Sequence, residues 1–185
     1  MTQTDLEVEL YKISNQERKK QLQAVNASSA SPEWYTPKPI LHLVLDVLGE
    51  ITLDPCSNPG DPNVPAKYHY TKFDDGLAKP WMGTVFMNPP YGKTIKLWTA
   101  KLEAEYQAGS VTEAIALVPA RVDTKWYNDI ANHTVCFLRG RIKFELNGIQ
   151  SNPSIFPSVA IYLGEDDSRF VEVFKSKGNV YRSVT

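Results

Sequence analysis

Four consecutive residues, Asn88-Pro89-Pro90-Tyr91, follow a short apolar run and have the residue types needed to hold the amine of a nucleobase. An exocyclic amine is a poor nucleophile, because its lone pair is delocalised into the ring. The side-chain carbonyl of Asn88 and the backbone carbonyl of Pro89 can each accept one N–H from such an amine, which leaves the lone pair directed outward. Pro90 fixes the direction of these acceptors, and the Tyr91 ring can stack on a flipped base. The pattern predicts a site that activates an amine.

The same four residues have a simpler interpretation as a proline-kinked strand exit with a surface tyrosine. Pro89 and Pro90 lack backbone donors and end any strand that precedes them. A turn alone would not need them, since Asn-Gly or Asp-Gly would serve. Stacking of a base on an aromatic side chain is worth on the order of 1–3 kcal/mol. The order of the four residues after an apolar strand therefore favours the amine site.

A second cluster, "LDPCSNPG" at residues 53–60, places a carboxylate and turn residues just beyond a short apolar run. In open α/β sheets, ligands bind outside the carboxyl ends of the strands, so a cofactor would lie here. An ordinary sharp loop has the same composition, and this alternative stays open.

Other cofactor sites are tested by their motifs. The sequence contains neither a G-x-G-x-x-G fingerprint nor a P-loop. The three histidines lack the spacing of metal ligands, and Pro55-Cys56 is not followed by the second cysteine that a zinc deaminase needs. We therefore expect no metal. The formal net charge of -1 predicts that any contact to nucleic-acid phosphates comes from a local patch.

These groups must be positioned by one domain of ordinary size. The 185 residues, 42% hydrophobic and 22% charged, are typical of a soluble globular protein with a single core. Residues 1–31 are polar and predict a mobile leader before a domain at 32–185. With no apolar run long enough for a membrane span and no signal peptide, we expect a cytoplasmic protein with reduced cysteines.

The first element of that domain is a helix with recognisable ends. Thr36 can serve as its N-cap, Pro37 suits the first helical position, and Gly49 ends it. Four apolar side chains fall on one face of this helix: Leu41, Val44, Leu45 and Leu48.

The remaining pattern alternates strands with helices, which predicts an α/β sheet with parallel members. Residues 114–118 are uninterruptedly apolar, as expected of a strand covered on both faces. The predicted helices are 93–108 and 123–131. The predicted strands are 51–53, 68–73, 83–87, 114–118, 134–138 and 159–163, with a hairpin arm through Phe144.

Read together, these segments resemble the phage-type DNA N-6-adenine methyltransferase family, and NPPY after a strand resembles the catalytic signature of amino-methyltransferases that use S-adenosylmethionine. The match runs from about residue 32 almost to the C-terminus. It rests on seven segments: "EWYTP" at 33–37, "LDPCSN" at 53–58, "DDGLAKPW" at 74–81, "VFMNPPYG" at 85–92, "VPARVDTKWY" at 118–127, "FLRGRIKF" at 137–144 and "FPSVAIYLG" at 156–164.

The resemblance implies an abbreviated Rossmann-like methyltransferase fold, a mostly parallel sheet flanked by helices. It also implies S-adenosylmethionine as methyl donor and adenine in double-stranded DNA as acceptor. Residues 88–91 would hold the target amine, and Thr36-Pro37 would close over the methionine end of the donor. The other residues carried over to the cofactor site are Asp54, Pro55, Cys56, Asn58, one of Asp74 and Asp75, and Asn88.

One segment departs from the pattern of larger amino-methyltransferases, which have a D-P-x-x-G-x-G loop where this chain has residues 54–60. The interval from Asp54 to Asn88 also leaves little room for a βαβ unit, which takes roughly 30 residues or more. We therefore expect the first half of the sheet to be reduced to one strand with loops.

Cations interleaved with aromatic side chains in the second half of the chain predict contacts to phosphates and bases of DNA. In "RGRIKF" at 139–144, alternation would put Arg139, Arg141 and Lys143 on one face if the segment is extended. A set of solvated surface charges is the alternative. The candidates are Arg121, Lys125, Trp126, Arg139, Arg141 and Lys143, with Tyr127 and Phe144 between them.

Two other functions stay open at this point. The same four residues can present the amide of a protein glutamine or an amine in RNA, and a non-catalytic module that binds DNA or a nucleotide would also keep the fold.

Overall fold

A seven-stranded mixed sheet is the framework of the domain. The computed structural model describes residues 35–60, 62–146, 149–150 and 153–183, so the predicted leader at 1–31 lies outside the described residues. The strands are β1 Ile51–Asp54, β2 Ala66–His69, β3 Gly83–Met87, β4 Val111–Pro119, β5 Thr134–Leu138, β6 Glu145–Leu146, β7 Ile149–Gln150, β8 Ser158–Leu163 and β9 Gly178–Tyr181. The helices are α1 Lys38–Leu48, α2 Ile95–Gln107, α3 Lys125–Ile130 and α4 Ser168–Phe174.

The strand order is β2-β1-β3-β4-β8-β5-β9, and β6 and β7 form a separate two-stranded hairpin. The first four strands of this order are mutually parallel, and β8 lies antiparallel between β4 and β5. The predicted α/β sheet with parallel members is confirmed, and β9 adds an antiparallel edge.

The sheet is covered on both faces, which makes it a three-layer structure. Val85 and Met87 of β3 pack in the core cluster that includes α2 and α3, whereas Phe86 packs in the cluster that includes α1 and α4. Ala114 to Val118 of β4 are fully buried. This confirms that the central strand is covered on both faces, as its continuous apolar run predicts.

Helix α1 begins one residue later than predicted. Pro37 occupies the N-cap position with an extended backbone, φ -60° and ψ 139°, and no side chain caps the helix. The N-cap prediction for Thr36 is therefore wrong. Both Pro37 and Pro39 satisfy the rule that proline suits the first turn, so the local pattern could not choose between the two starts. The hydroxyl of Thr36 has another partner, described below.

The first half of the sheet is short, as expected, but it holds two strands before β3 instead of one. β2 pairs in parallel with β1, from Ile51 opposite Ala66 to Asp54 opposite His69. A loop without a helix connects them within the described residues. The predicted strand at 68–73 is displaced toward the N-terminus, because the chain turns after His69 into the segment that contains Asp74.

Near the C-terminus, α4 and β9 have no counterpart among the predicted elements. α4 is seven residues long, and β9 is four residues long. Both are too short for a clear apolar period. They are placed by tertiary contacts: Phe170 and Phe174 are fully buried, with ring centroids 4.5 Å apart.

One edge of the sheet collects the loops that carry the predicted site. Since β1, β3 and β4 are parallel, their carboxyl ends lie on the same side, and β8 begins there because Ser158 lies opposite Pro119. β5 is antiparallel to β8 and so also ends on that side. We call this side the carboxyl edge. In the described part of the chain, no helix has the length and apolar character to cross a membrane.

Candidate active site

The two sequence clusters meet at the carboxyl edge. Asp54 is the last residue of β1, Asn88 directly follows β3, and these strands are neighbours in the sheet. The parallel arrangement therefore brings "LDPCSNPG" and "NPPY" to adjacent positions, although they are distant in sequence. This is the location at which open α/β sheets bind ligands.

A hydrogen bond fixes the side chain of Asn88. Its Nδ2 donates to Oγ1 of Thr36 over 3.0 Å, and Thr36 is only 2% exposed. Asn63 Nδ2 in turn donates to the backbone carbonyl of Thr36 over 2.6 Å. Because the amide nitrogen of Asn88 is engaged, its carbonyl oxygen is the atom left to accept a hydrogen bond. Sequence reasoning missed Asn63, which is one of two asparagines in a loop rich in turn residues.

The side chain of Tyr91 is packed against Phe144 and ends in a buried hydroxyl. Its ring makes an edge-to-face contact with Phe144, with centroids 5.9 Å apart and planes at 84°. Its hydroxyl is buried without a hydrogen-bond partner among the described residues, beside the equally unpaired Ser158 hydroxyl. Burial raises the pKa of Tyr91 well above its ordinary value, and the nearby Ser158 opposes this weakly. The side chain is thus a neutral, fixed aromatic plate.

The two prolines between Asn88 and Tyr91 differ in exposure: Pro89 is buried, whereas Pro90 is exposed. Phe144 was predicted to lie in a hairpin arm and to be an aromatic side chain among the DNA-contact candidates, and it is 6% exposed and packed against Tyr91. No local pattern links Phe144 to Tyr91, because their contact joins two distant segments.

Asp54 is a buried carboxyl group, 4% exposed, at the end of β1. Burial raises its pKa to about 6, opposed by the Cys56 backbone N–H, by His69 and by Ser57. Its Oδ1 accepts from that Cys56 N–H over 3.0 Å. Among the described residues, no lysine or arginine forms an ion pair with Asp54. A cation placed beside such a buried carboxyl group would lower its pKa and favour its ionised form.

The loop after Asp54 is tied to the segment after β2. Tyr70 N donates to Asp54 O, and Ser57 N donates to Tyr70 O, each over 2.9 Å. Cys56 is half-buried, and burial together with Asp54 raises the pKa of its thiol, so it is not a thiolate nucleophile. Pro55 is buried and Asn58 is half-buried in the same loop.

Asp74 and Asp75 are both exposed, but their carboxylates differ. Asp74 Oδ2 accepts from the backbone N–H and the hydroxyl of Thr71, at 2.9 and 2.8 Å, and these hydrogen bonds hold the pKa of Asp74 below its usual range. Asp75 has a left-handed backbone with φ 54°, and its carboxylate makes no hydrogen bond or ion pair within the described ranges. The carboxylate of Asp75 is therefore more available to a ligand than that of Asp74.

This turn packs directly on the Asp54 loop. A Cβ atom at Gly76 would clash with the Pro55 carbonyl oxygen and press on the Trp98 ring. Trp81 Nε1 donates to Gly76 O over 2.8 Å, and Trp81 stacks on Trp98 with centroids 6.2 Å apart. The glycine and two tryptophans therefore hold Asp75 close to the loop that contains Asp54. Sequence reasoning did not assign either tryptophan to the site.

Three DNA candidates lie on loops beyond the carboxyl edge. The Arg121 guanidinium lies 4.4 Å from the centroid of the Phe156 ring, and Arg141 Nη1 donates to Ile155 O over 2.6 Å. Arg141 and Lys143 are exposed, whereas Ile142 and Phe144 between them are buried. These two cations therefore project to one side, as the alternation predicts.

The other three candidates have local partners. Lys125 pairs with Asp129 over 2.7 Å on the surface of α3, and Trp126 makes an edge-to-face contact with Tyr127. Arg139 Nη2 donates to the carbonyl of Gly178 over 3.4 Å, against β9. Gly140 has φ 77° and turns the chain between Arg139 and Arg141. The extended alternation therefore does not include Arg139.

The described residues contain no group of three or more histidine, cysteine, aspartate or glutamate side chains that could hold a metal ion. The chemistry available at the carboxyl edge is that of carbonyl acceptors, a buried carboxyl group and an aromatic plate.

Comparison with known families agrees with this chemistry. A family model described as DNA N-6-adenine-methyltransferase (Dam) matches residues 23–161, which include Thr36, Asp54, Asn88 and Ser158. No curated protein matches the sequence. Membership of a methyltransferase family implies S-adenosylmethionine as the methyl donor and DNA as the substrate. The chain belongs to the DNA N-6-adenine-methyltransferase (Dam) family and is an enzyme that methylates the N6 amine of adenine in DNA.

Proposed function

We propose that this enzyme acts on double-stranded DNA, takes an adenine out of the helix, and holds it at the carboxyl edge between Asn88 and Tyr91 while S-adenosylmethionine lies over the Asp54 loop. The hydrogen bond from Asn88 Nδ2 to Thr36 Oγ1 is the observation that carries this proposal. It commits the amide nitrogen to the protein and leaves the amide oxygen for the substrate.

The amine would be held by two carbonyl oxygens. Asn88 Oδ1 and the backbone carbonyl of Pro89 each accept one N–H of the adenine amine, which directs the nitrogen lone pair away from the ring plane. Both acceptors follow a buried strand, and Pro90 restricts the backbone between them and Tyr91. Positive charge that develops on the nitrogen is stabilised by the same oxygens. No general base is required before transfer, since a proton can leave afterwards.

The adenine ring would stack on Tyr91. Its hydroxyl is buried and its ring makes an edge-to-face contact with Phe144, so the ring has little room to turn away from the base. Stacking on a prepositioned ring costs little side-chain entropy and is worth on the order of 1–3 kcal/mol.

The residues of the Asp54 loop fit the methyl donor. When bound, S-adenosylmethionine supplies an electrophilic methyl group on a positively charged sulfur. Asp54 offers a desolvated carboxyl group to the positive charges of such a ligand, and Asp75 offers a free carboxylate to hydroxyl groups. Pro55, Cys56 and Asn58 would line the loop, with Thr36-Pro37 on its other side.

DNA phosphates would be held by cations of the loops beyond the same edge. Arg121, Arg141 and Lys143 are exposed there, and they give a local positive patch on a chain of formal net charge -1. Lys125, Trp126 and Arg139 remain further candidates. The resemblance to phage-type enzymes also leads to a bacteriophage or prophage origin and action in the host cytoplasm.

Replacement of Asn88 by alanine tests the proposed grip on the amine. Labelled donor is incubated with DNA, RNA and protein, and labelled DNA is digested to nucleosides to identify the methylated base. Asn88→Ala should lower the rate on DNA by roughly 10²–10³, the usual cost of losing one such electrostatic contact, with donor affinity largely kept. Asn179→Ala, an exposed asparagine of β9, is the matched control. Wild-type rates for Asn88→Ala would refute the mechanism, and label in RNA or glutamine would move the activity to another acceptor.

A further inference from the structure

We propose that Ile155 enters the DNA duplex as an apolar wedge and occupies the space that the extruded adenine leaves. The inference rests on the proposed extrusion of the base and adds the residue that would stabilise the extruded state. It concerns the loop at residues 153–157, between the β6–β7 hairpin and β8.

Ile155 is unusual for its exposure. It is 82% exposed, the highest value among the large hydrophobic side chains that the structure describes. The loop reads Pro153-Ser154-Ile155-Phe156-Pro157, and its two terminal prolines restrict the backbone on either side of the tip. An exposed apolar side chain on a restricted loop is a feature of proteins that insert a wedge between base steps.

Three hydrogen bonds hold the loop in place. Arg141 Nη1 donates to Ile155 O over 2.6 Å, Ser154 N donates to Ile142 O over 2.8 Å, and Ala120 N donates to Pro157 O over 2.8 Å. The tip is therefore anchored to the segments after both β4 and β5. A wedge must keep its position against the stacking of the neighbouring bases, and these anchors provide that support.

The positive charges around Ile155 indicate that DNA is the partner into which this side chain inserts. Arg141 bonds the carbonyl of Ile155 itself, and the Arg121 guanidinium lies 4.4 Å from the ring centroid of the next residue, Phe156. An apolar tip on a loop that contacts two arginines matches the chemistry of a duplex, in which stacked bases lie between two phosphate backbones.

The loop also leads directly to the proposed base pocket. Ser158, the residue after Pro157, is the first residue of β8, and its hydroxyl lies beside the hydroxyl of Tyr91. Phe144, which contacts the Tyr91 ring, follows Arg141 and Ile142 in the same anchored segment. A base stacked on Tyr91 would therefore leave the duplex close to Ile155.

The test compares a paired with an unpaired target. An adenine that wild-type enzyme methylates is first mapped on plasmid DNA, and a duplex oligonucleotide carrying it is made in two forms, one with thymine and one with an abasic position opposite. Ile155→Ala should lower the methylation rate on the paired duplex by about tenfold or more, because the wedge offsets the cost of unstacking. On the unpaired duplex, the decrease should stay below about threefold.

Met82→Ala is the matched control, since Met82 is 46% exposed just before β3, at the opposite edge of the sheet.

A second measurement reports extrusion itself. With 2-aminopurine in place of the target adenine, wild-type enzyme and Met82→Ala should raise the fluorescence on binding, and Ile155→Ala should raise it less. Equal rates and equal fluorescence for Ile155→Ala and wild type would overturn the proposal, as would an equal loss on both duplexes. If wild-type enzyme modified no adenine, the proposed function would fail instead.

Discussion

The side-chain amide of Asn88 donates a hydrogen bond to the hydroxyl of Thr36 over 3.0 Å, although 52 positions separate the two residues. Thr36 precedes α1, and Asn88 follows β3. The segment before the first helix therefore sets the orientation of the side chain that is proposed to grip the substrate. Asn63 extends this arrangement by holding the backbone of Thr36.

Thr36→Val should separate a positioning role from a role in donor binding. Valine keeps the shape of threonine and removes the acceptor for Asn88, so the amide of Asn88 can rotate. We expect kcat to fall by roughly 10–100-fold, as for a misplacement of about 1 Å, while the Kd for S-adenosylmethionine changes little. Single-turnover methylation and calorimetric titration of the donor measure the two quantities. Thr36→Ser should restore most of kcat, and a loss confined to donor affinity would assign Thr36 to the cofactor alone.

Asp54 should make the free enzyme less stable as the pH rises. Its folded pKa, about 6, lies above its ordinary value of 3.8, so the native state binds the proton more tightly than the unfolded state does. The contribution of Asp54 to the free energy of unfolding is therefore largest below pH 4 and is lost between pH 4 and about pH 6, a change of about 3 kcal/mol for two pKa units.

Urea unfolding of Asp54→Asn checks this sign. Asparagine keeps an acceptor for the Cys56 N–H and carries no charge, so the variant should be more stable than wild type at pH 8 and should lack this pH dependence. It should also bind S-adenosylmethionine more weakly. Asp46→Asn, at an exposed position of α1, serves as the control and should keep the wild-type slope. A variant less stable than wild type at pH 8 would contradict the assignment.

Gly76→Ala should damage the packing of the Asp75 turn on the Asp54 loop. The new Cβ would clash with the Pro55 carbonyl oxygen, which is backbone and cannot move without shifting the loop. We expect a loss of about 1–3 kcal/mol in the free energy of unfolding, the range for overpacking, and weaker donor binding. Chemical denaturation measures the first effect. Gly92→Ala, where no atom lies within 4 Å of the added Cβ, should have little effect on stability.

Lys143→Gln should reduce the salt dependence of DNA binding. Loss of one phosphate contact lowers the slope of log K against log salt by about 0.9 for duplex DNA. Fluorescence anisotropy of a labelled duplex between low and moderate salt gives the slope. Lys175→Gln is the control, because Lys175 pairs with Glu172 at the end of α4. An unchanged slope for Lys143→Gln would remove this residue from the DNA surface.

Local patterns determined a large part of this molecule. The strands β1, β3, β4, β5 and β8 and the helices α1, α2 and α3 follow from apolar periodicity and from proline and glycine signals. "NPPY" after a strand carries its chemistry in the order of its residues, because adjacent carbonyls and a ring are already joined by the backbone. The family match over residues 23–161 agrees with what those segments imply.

Only the tertiary structure decided which residues complete the site. The partners of Thr36 and Tyr91, namely Asn88 and Phe144, come from distant segments that meet because parallel strands end at one edge. The burial that raises the pKa of Asp54 and the hydrogen bond that anchors the loop of Ile155 also depend on these tertiary contacts. Periodicity reports which side of a strand or helix is buried, whereas contacts between loops depend on how the sheet brings their ends together.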